Sequence, residues 1–219
     1  MSNTLLRHQT RIVVHSILCG AACFIPIPFL DEWTQHKVGR HMISGILLGY
    51  QKESEPASII LSQKHSNWCF GCVIAVFVYP FKKLIRTIAI FLTIKQLVDE
   101  CEHWLFRGIF IELAIQQGYD FSDAEAIRSL RSLMYESNER VNTTAIVSGL
   151  KGIFEGTRKD VVRIARGSFR WARGLGELEE IVPTELVSAM EKLVTTEFVE
   201  QVNAILKEGM EVNRPEQET

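Results

Sequence analysis

Phe24-Ile25-Pro26-Ile27-Pro28-Phe29-Leu30-Asp31-Glu32 lies in the middle of residues 12–50 and decides how the first part of the chain folds. Two prolines one residue apart fix φ at both positions and remove two amide donors. They also push Ile25 and Ile27 toward extended geometry, so no continuous helix crosses this point. Before the bend, Arg7, Arg11, His15, Cys19 and Cys23 recur every four residues while Leu6, Val13, Ile17 and Phe24 fall elsewhere, which is a helical pattern. After it, Asp31 is the expected N-cap, and Glu32 adds negative charge to the first turn, where the macrodipole favours it. Trp33, Val38, Met42, Gly45 and Leu48 then form an apolar stripe. The stretch reads as a helical hairpin.

That phrase from Phe24 to Asp31, preceded by a small-residue apolar helix and followed by Gln35, Met42 and Gly49-Tyr50, resembles the hairpin of the YcjF-type, GTPase-associated helical membrane domains. The resemblance covers about a fifth of the chain and stops at Tyr50. It implies a protein without enzymatic activity that works at a bacterial inner membrane, with a GTPase or another protein as partner. The chain itself carries no Gly-x-x-x-x-Gly-Lys-Ser/Thr phosphate loop.

With 219 residues the chain is long enough to bury a sizeable core as one large domain or two small ones. A formal net charge of -2 supplies no overall attraction to nucleic acid, so none is expected as a partner. Five cysteines outside any loop-rich framework point to a reducing compartment. Residues 12–30 carry no formal charge but contain two prolines, which makes them poor as a straight span of roughly 30 Å. A re-entrant or interfacial hairpin on the cytoplasmic face suits them better, and membrane lipid is the expected partner. No cleaved signal peptide is expected: Gly20 stands where a lipoprotein signal needs a large aliphatic residue, and Phe24-Ile25-Pro26 is not a polar mature start.

Residues 51–57 are polar and proline-bearing and read as a linker. A second apolar block follows at 68–79, Pro80 interrupts it, and a long helix runs from Phe81 until Gly118 ends it. Lys82, Lys83, Arg86 and Lys95 dot that helix and could snorkel to headgroups. Ser122-Asp123-Ala124-Glu125 forms a capping box for the next helix. From Asn138 the chain is more polar and helix-prone as far as Gly176, and a last helix runs from Pro183 to about Gly209. The reading is an all-α fold of helical hairpins with proline breaks plus C-terminal amphipathic helices. Residues 1–118 make an apolar membrane-associated region and 119–219 a more polar helical one.

Three constellations could carry chemistry. Cys69 and Cys72 have the spacing of a dithiol or half a zinc site, with His65, Cys101 and His103 as the nearest further ligands; in an apolar block, small cysteines that pack helices are the favoured reading. Glu100 and His103 form one Glu-x-x-His step, but a di-iron bundle needs a second, which the chain lacks. Lys159, Arg163, Arg166, Arg170 and Arg173 recur at steps of four, three, four and three, placing five cations on one helical face. Anionic headgroups, an acidic partner or, least favoured, nucleic-acid phosphate fit that face. So do Glu185, Glu191, Glu197, Glu200 and Glu208 of the last helix, and pairing within the molecule is the favoured expectation.

The function expected is that of a non-catalytic, membrane-associated interaction or accessory protein without a cofactor. Pro26, Pro28, Asp31 and Trp33 would form its membrane hairpin, and the five-cation face would be its anionic-surface candidate. The alternatives are a metal- or dithiol-dependent enzyme using Cys69, Cys72, Cys101 and His103, and a soluble helical adaptor.

Overall fold

The computed structural model describes residues 6–25, 29–53, 55–63, 86–175 and 181–212, and among them it contains helices and no strand. Pro26, Pro28, Cys69, Cys72, Lys82 and Lys83 lie outside the described residues. In chain order the helices are α1 (Gln9–Ala22), α2 (Leu30–Gly49), α3 (Glu55–Ser62), α4 (Arg86–Gln116) and α5 (Ala124–Arg140). After them come α6 (Thr144–Gly156), α7 (Arg158–Ala172), α8 (Thr184–Glu191) and α9 (Thr196–Val212).

The first helix is the hub. Its residues from Ile12 to Ala22 are buried except Val14, and it packs against α2, α4, α7 and α8. The four-residue stripe seen in the sequence is its face toward α2. Arg11 lies over Gly45, the His15 ring meets that of His41, and the Cys19 thiol donates to the Gln35 carbonyl. These pairings run in opposite directions along the two helices, so α1 and α2 form an antiparallel hairpin. On the other side α4 also runs antiparallel. Gly20 abuts Leu97 and Cys101, while Gly108 abuts Ile12. A Cβ on Gly20 would stand 2.8 Å from the Leu97 carbonyl oxygen, so this glycine permits the backbone approach. The core that results draws on both halves of the chain, from Ile12 and Phe110 to Leu150, Ile164 and Leu206.

Several boundaries differ from the sequence reading, for local reasons. Asp31 is not the N-cap: α2 begins at Leu30 and the cap position falls to Phe29, leaving Asp31 and Glu32 in the first turn, where the dipole still favours them. Asp123 rather than Ser122 caps α5, accepting from the Ala126 amide at 2.8 Å, while Ser122 turns back to Asp120. The linker at 51–57 is shorter than expected, because Glu55 and Pro56 already belong to α3, where a first-turn proline forfeits no helical hydrogen bond. The stretch from Asn138 breaks at Thr157 into α6 and α7, and the last helix breaks at 192–195, where the Thr195 hydroxyl accepts from the Phe198 amide. The long helix ends as expected at Gly118, whose φ of 79° is open to glycine, with Tyr119 donating back to Ala114.

Two buried ionisable groups of α4 tie it to its neighbours. Glu112 of α4 accepts the Arg7 and His8 amides at 2.6 and 3.0 Å and the Tyr50 hydroxyl at 3.0 Å, setting a carboxylate at the positive end of α1. Arg107 is fully buried without a carboxylate beside it among the described residues. Its guanidinium donates to the Leu61 carbonyl at the end of α3, to the Tyr135 hydroxyl and to His103 Nε2, and it stacks on Trp104. The negative end of α3 thus takes the place of a counter-ion, and burial still lowers the pKa of this arginine.

Candidate functional site

Helix α7 has two faces. Val161, Ile164, Ala165 and Ser168 are buried against the hairpin, and the Ser168 hydroxyl donates to the Ile164 carbonyl within its own helix. Lys159, Arg163, Arg166, Arg170 and Arg173 are all exposed on the opposite side. At a rise of 1.5 Å per residue this stripe is about 20 Å long. Within it, Arg163 pairs with Asp160 at 3.0 Å and Arg173 lies over the Phe169 ring at 5.7 Å. Lys159, Arg166 and Arg170 make no ion pair among the described residues.

The expected neutralisation by the last helix is not what the fold does. Helix α9 packs on α4 and α5 and does not touch α7. Its Glu208 pairs with Arg140 at 2.7 Å, and Glu191 of α8 accepts from the Thr10 hydroxyl at 2.6 Å. The short helix α8 carries α9 onto α4 and α5, away from α7.

The end of α7 meets the start of α2, and there the surface becomes apolar. Phe29 is 57% exposed, Trp33 37% and Leu175 51%, which are high values for residues of this size. Phe29, Leu30, Trp33, Phe169, Ala172 and Arg173 line an open groove of about 640 Å³. Trp33 stands edge-on to Phe169, with ring centroids 6.4 Å apart. Phe29 also has φ of 69°, a left-handed conformation that costs a bulky residue about 1–2 kcal/mol. Of the expected hairpin residues, Trp33 therefore lines this groove and Asp31 does not. In the sequence Phe29 stands out only as part of the bend, Phe169 only as a flank of the basic stripe and Leu175 not at all, although Phe29 with Trp33 and Phe169 with Arg173 share a four-residue spacing.

Beneath α7, His15 and His41 stack and share a 3.0 Å hydrogen bond, with Trp171 edge-on to His41. The Arg11 carbonyl can only accept, so His15 Nδ1–H donates to it at 2.7 Å. Neutral His15 then accepts from His41 Nδ1–H through Nε2. Burial drives the pKa of His15 down to about 3, and burial with the Arg11 charge lowers that of His41.

Comparison with protein families, curated proteins and solved structures finds no match. The resemblance to the GTPase-associated hairpin therefore rests on residues 24–31 with the helix before them and Gln35, Met42 and Gly49-Tyr50 after them.

Of the four residues in the metal or dithiol reading, Cys69 and Cys72 lie outside the described residues. Cys101 and His103 sit on one helix but point apart: the Cys101 thiol is buried beside the Met190 sulfur, and His103 accepts from Arg107. Burial pushes the Cys101 thiol up, away from the thiolate a metal or a nucleophile needs. No group of three His, Cys, Asp or Glu that could hold a metal occurs among the described residues. Nor is any helix among them long and apolar enough to cross a membrane, and the apolar side chains of α1 face the protein's own core.

Proposed function

We propose that this protein is a non-catalytic, peripheral membrane-associated module that lays the exposed face of α7 on anionic headgroups at the cytoplasmic side of a membrane. The observation that carries the reading is the stripe of five exposed cations, which the acidic last helix leaves uncovered. Exposed Phe29, Trp33 and Leu175 near one end of that stripe support it, because aromatic and aliphatic tips beside arginines suit the headgroup boundary. In this reading the apolar hairpin serves as core, and attachment belongs to the rim where α2 and α7 meet.

Each cation near an anionic surface contributes about 1 kcal/mol, so removing three should weaken binding by roughly two orders of magnitude at low salt. Co-sedimentation of Arg163→Gln/Arg166→Gln/Arg170→Gln with phosphatidylglycerol-containing vesicles across a salt series tests this. The melting temperature should hardly move, since the three side chains are exposed. Wild-type binding that neither depends on salt nor falls in the triple variant would refute the proposal.

A further inference from the structure

We infer that the groove between the first turn of α2 and the last turn of α7 takes a single acyl chain of an anionic lipid, with Arg173 pairing the headgroup. This rests on the anionic-surface reading and adds to it the capture of one lipid molecule. The walls are Phe29, Leu30 and Trp33 on one side and Phe169 and Ala172 on the other, with Arg173 the one polar residue of the lining among the described residues. The groove, about 640 Å³, is open along one side, so a chain laid in it is covered by α2 and α7 and left facing outward on the open side. The left-handed backbone of Phe29 is strain kept at an exposed position that forms one wall, a pattern associated with ligand clamps.

The chemistry of the lining selects the occupant. A peptide strand or loop would bring amide and carbonyl groups that lose water on entry, and among the described residues no lining side chain but Arg173 can hydrogen-bond them in return. A hydrocarbon chain carries no such groups. The Arg173 guanidinium is held over the Phe169 ring at the groove, where a carboxylate or phosphate at the head of the chain would meet it. Arg170 and Arg166 continue the same charge along α7, so a lipid seated here has its headgroup on the stripe proposed to meet the bilayer. Asp31 and Glu32 share the first turn of α2 but do not line the groove, so among the described residues its one charge is that of Arg173.

The test uses the full chain and brominated stearate kept below its aggregation limit, with tryptophan quenching as readout, because Trp33 borders the groove. Wild type should show saturable quenching at one stearate per chain. Ala172→Phe should abolish it by filling the groove, while still sedimenting with anionic vesicles. Arg173→Gln, at an exposed position, should weaken stearate binding about fivefold and leave binding of the uncharged methyl ester unchanged. Non-saturable quenching, or equal binding by wild type and both variants, would overturn the inference. So would a dimer in sedimentation velocity that Ala172→Phe converts to monomer, since that would assign the groove to a second copy of the chain. Saturable stearate binding with no vesicle binding would instead retire the bilayer reading and keep the groove.

Discussion

Acidification should act on this protein through two buried groups that pull in opposite directions. His15 is held neutral in the fold, with its pKa lowered from 6.5 to about 3 by burial. Below pH 6.5 the unfolded chain therefore binds a proton that the folded one refuses, and stability falls with falling pH. Between pH 7.5 and pH 4.5 the loss from this site is about 2.5 kcal/mol. Glu102 behaves in the opposite sense. Burial and the neighbouring Asp99 raise its pKa from 4.5 to about 7, so stability is full near pH 4 and declines as pH rises through 7. Its partial exposure reduces that second effect to about 2 kcal/mol. The two contributions nearly cancel in the wild type and separate in the variants. Urea unfolding of wild type, His15→Asn and Glu102→Gln at pH 4.5, 6 and 7.5 would show it. The difference between wild type and His15→Asn should move by about 2.5 kcal/mol in favour of the variant as pH falls. Glu102→Gln should exceed wild type by about 2 kcal/mol at pH 7.5 and match it at pH 4.5. Because His41 hydrogen-bonds His15, the first difference reports the pair. Curves that stay parallel for wild type and His15→Asn would refute the assignment of His15 as a buried neutral base.

Three further outcomes follow, two from the packing around α4 and one from open space on α6. Arg107→Lys keeps the charge but cannot span the Leu61 carbonyl, the Tyr135 hydroxyl and His103 together; a loss of about 2–4 kcal/mol in chemical denaturation is expected. Gly20→Ala should cost about 1–3 kcal/mol, because the Leu97 backbone it would press on cannot yield. Gly152→Ala on α6, where a Cβ meets nothing, should instead gain about 1 kcal/mol, and thermal melts of the two variants should shift in opposite directions.

Local chemistry was legible where one residue or one period decides it. Gly118 ends α4 because its conformation needs glycine, and the four-three spacing from Lys159 to Arg173 does put five cations on one exposed face. Orientation was not legible. An uncharged run such as residues 12–25 looks the same whether it faces lipid or core, and only the glycines at 20 and 108 hint that another helix crosses closely. The neighbour of the basic face was likewise hidden, since complementary charge on the last helix says nothing of the turn through α8 that carries α9 elsewhere. The break at Thr157 left a faint trace, because Gly156-Thr157 is weaker punctuation than proline. Glu112 looked like one more acid on a long helix. Its role depends on amides more than 100 positions away, a separation that no local pattern reports.

Placing the hub in the first helix has a cost during synthesis. Helix α1 leaves the ribosome well before α4, against which it makes its most extensive packing. At about 5–20 residues per second, the stretch between Ala22 and Gln116 takes roughly 5–20 s to emerge. For that interval Ile12, Val13, Ile17 and Leu18 have α2 as cover on one side and water on the others. The nascent chain is thus a natural client for chaperones that shield apolar helices. Refolding from denaturant should likewise be governed by the slow closure of a loop joining distant segments, with aggregation as its competitor.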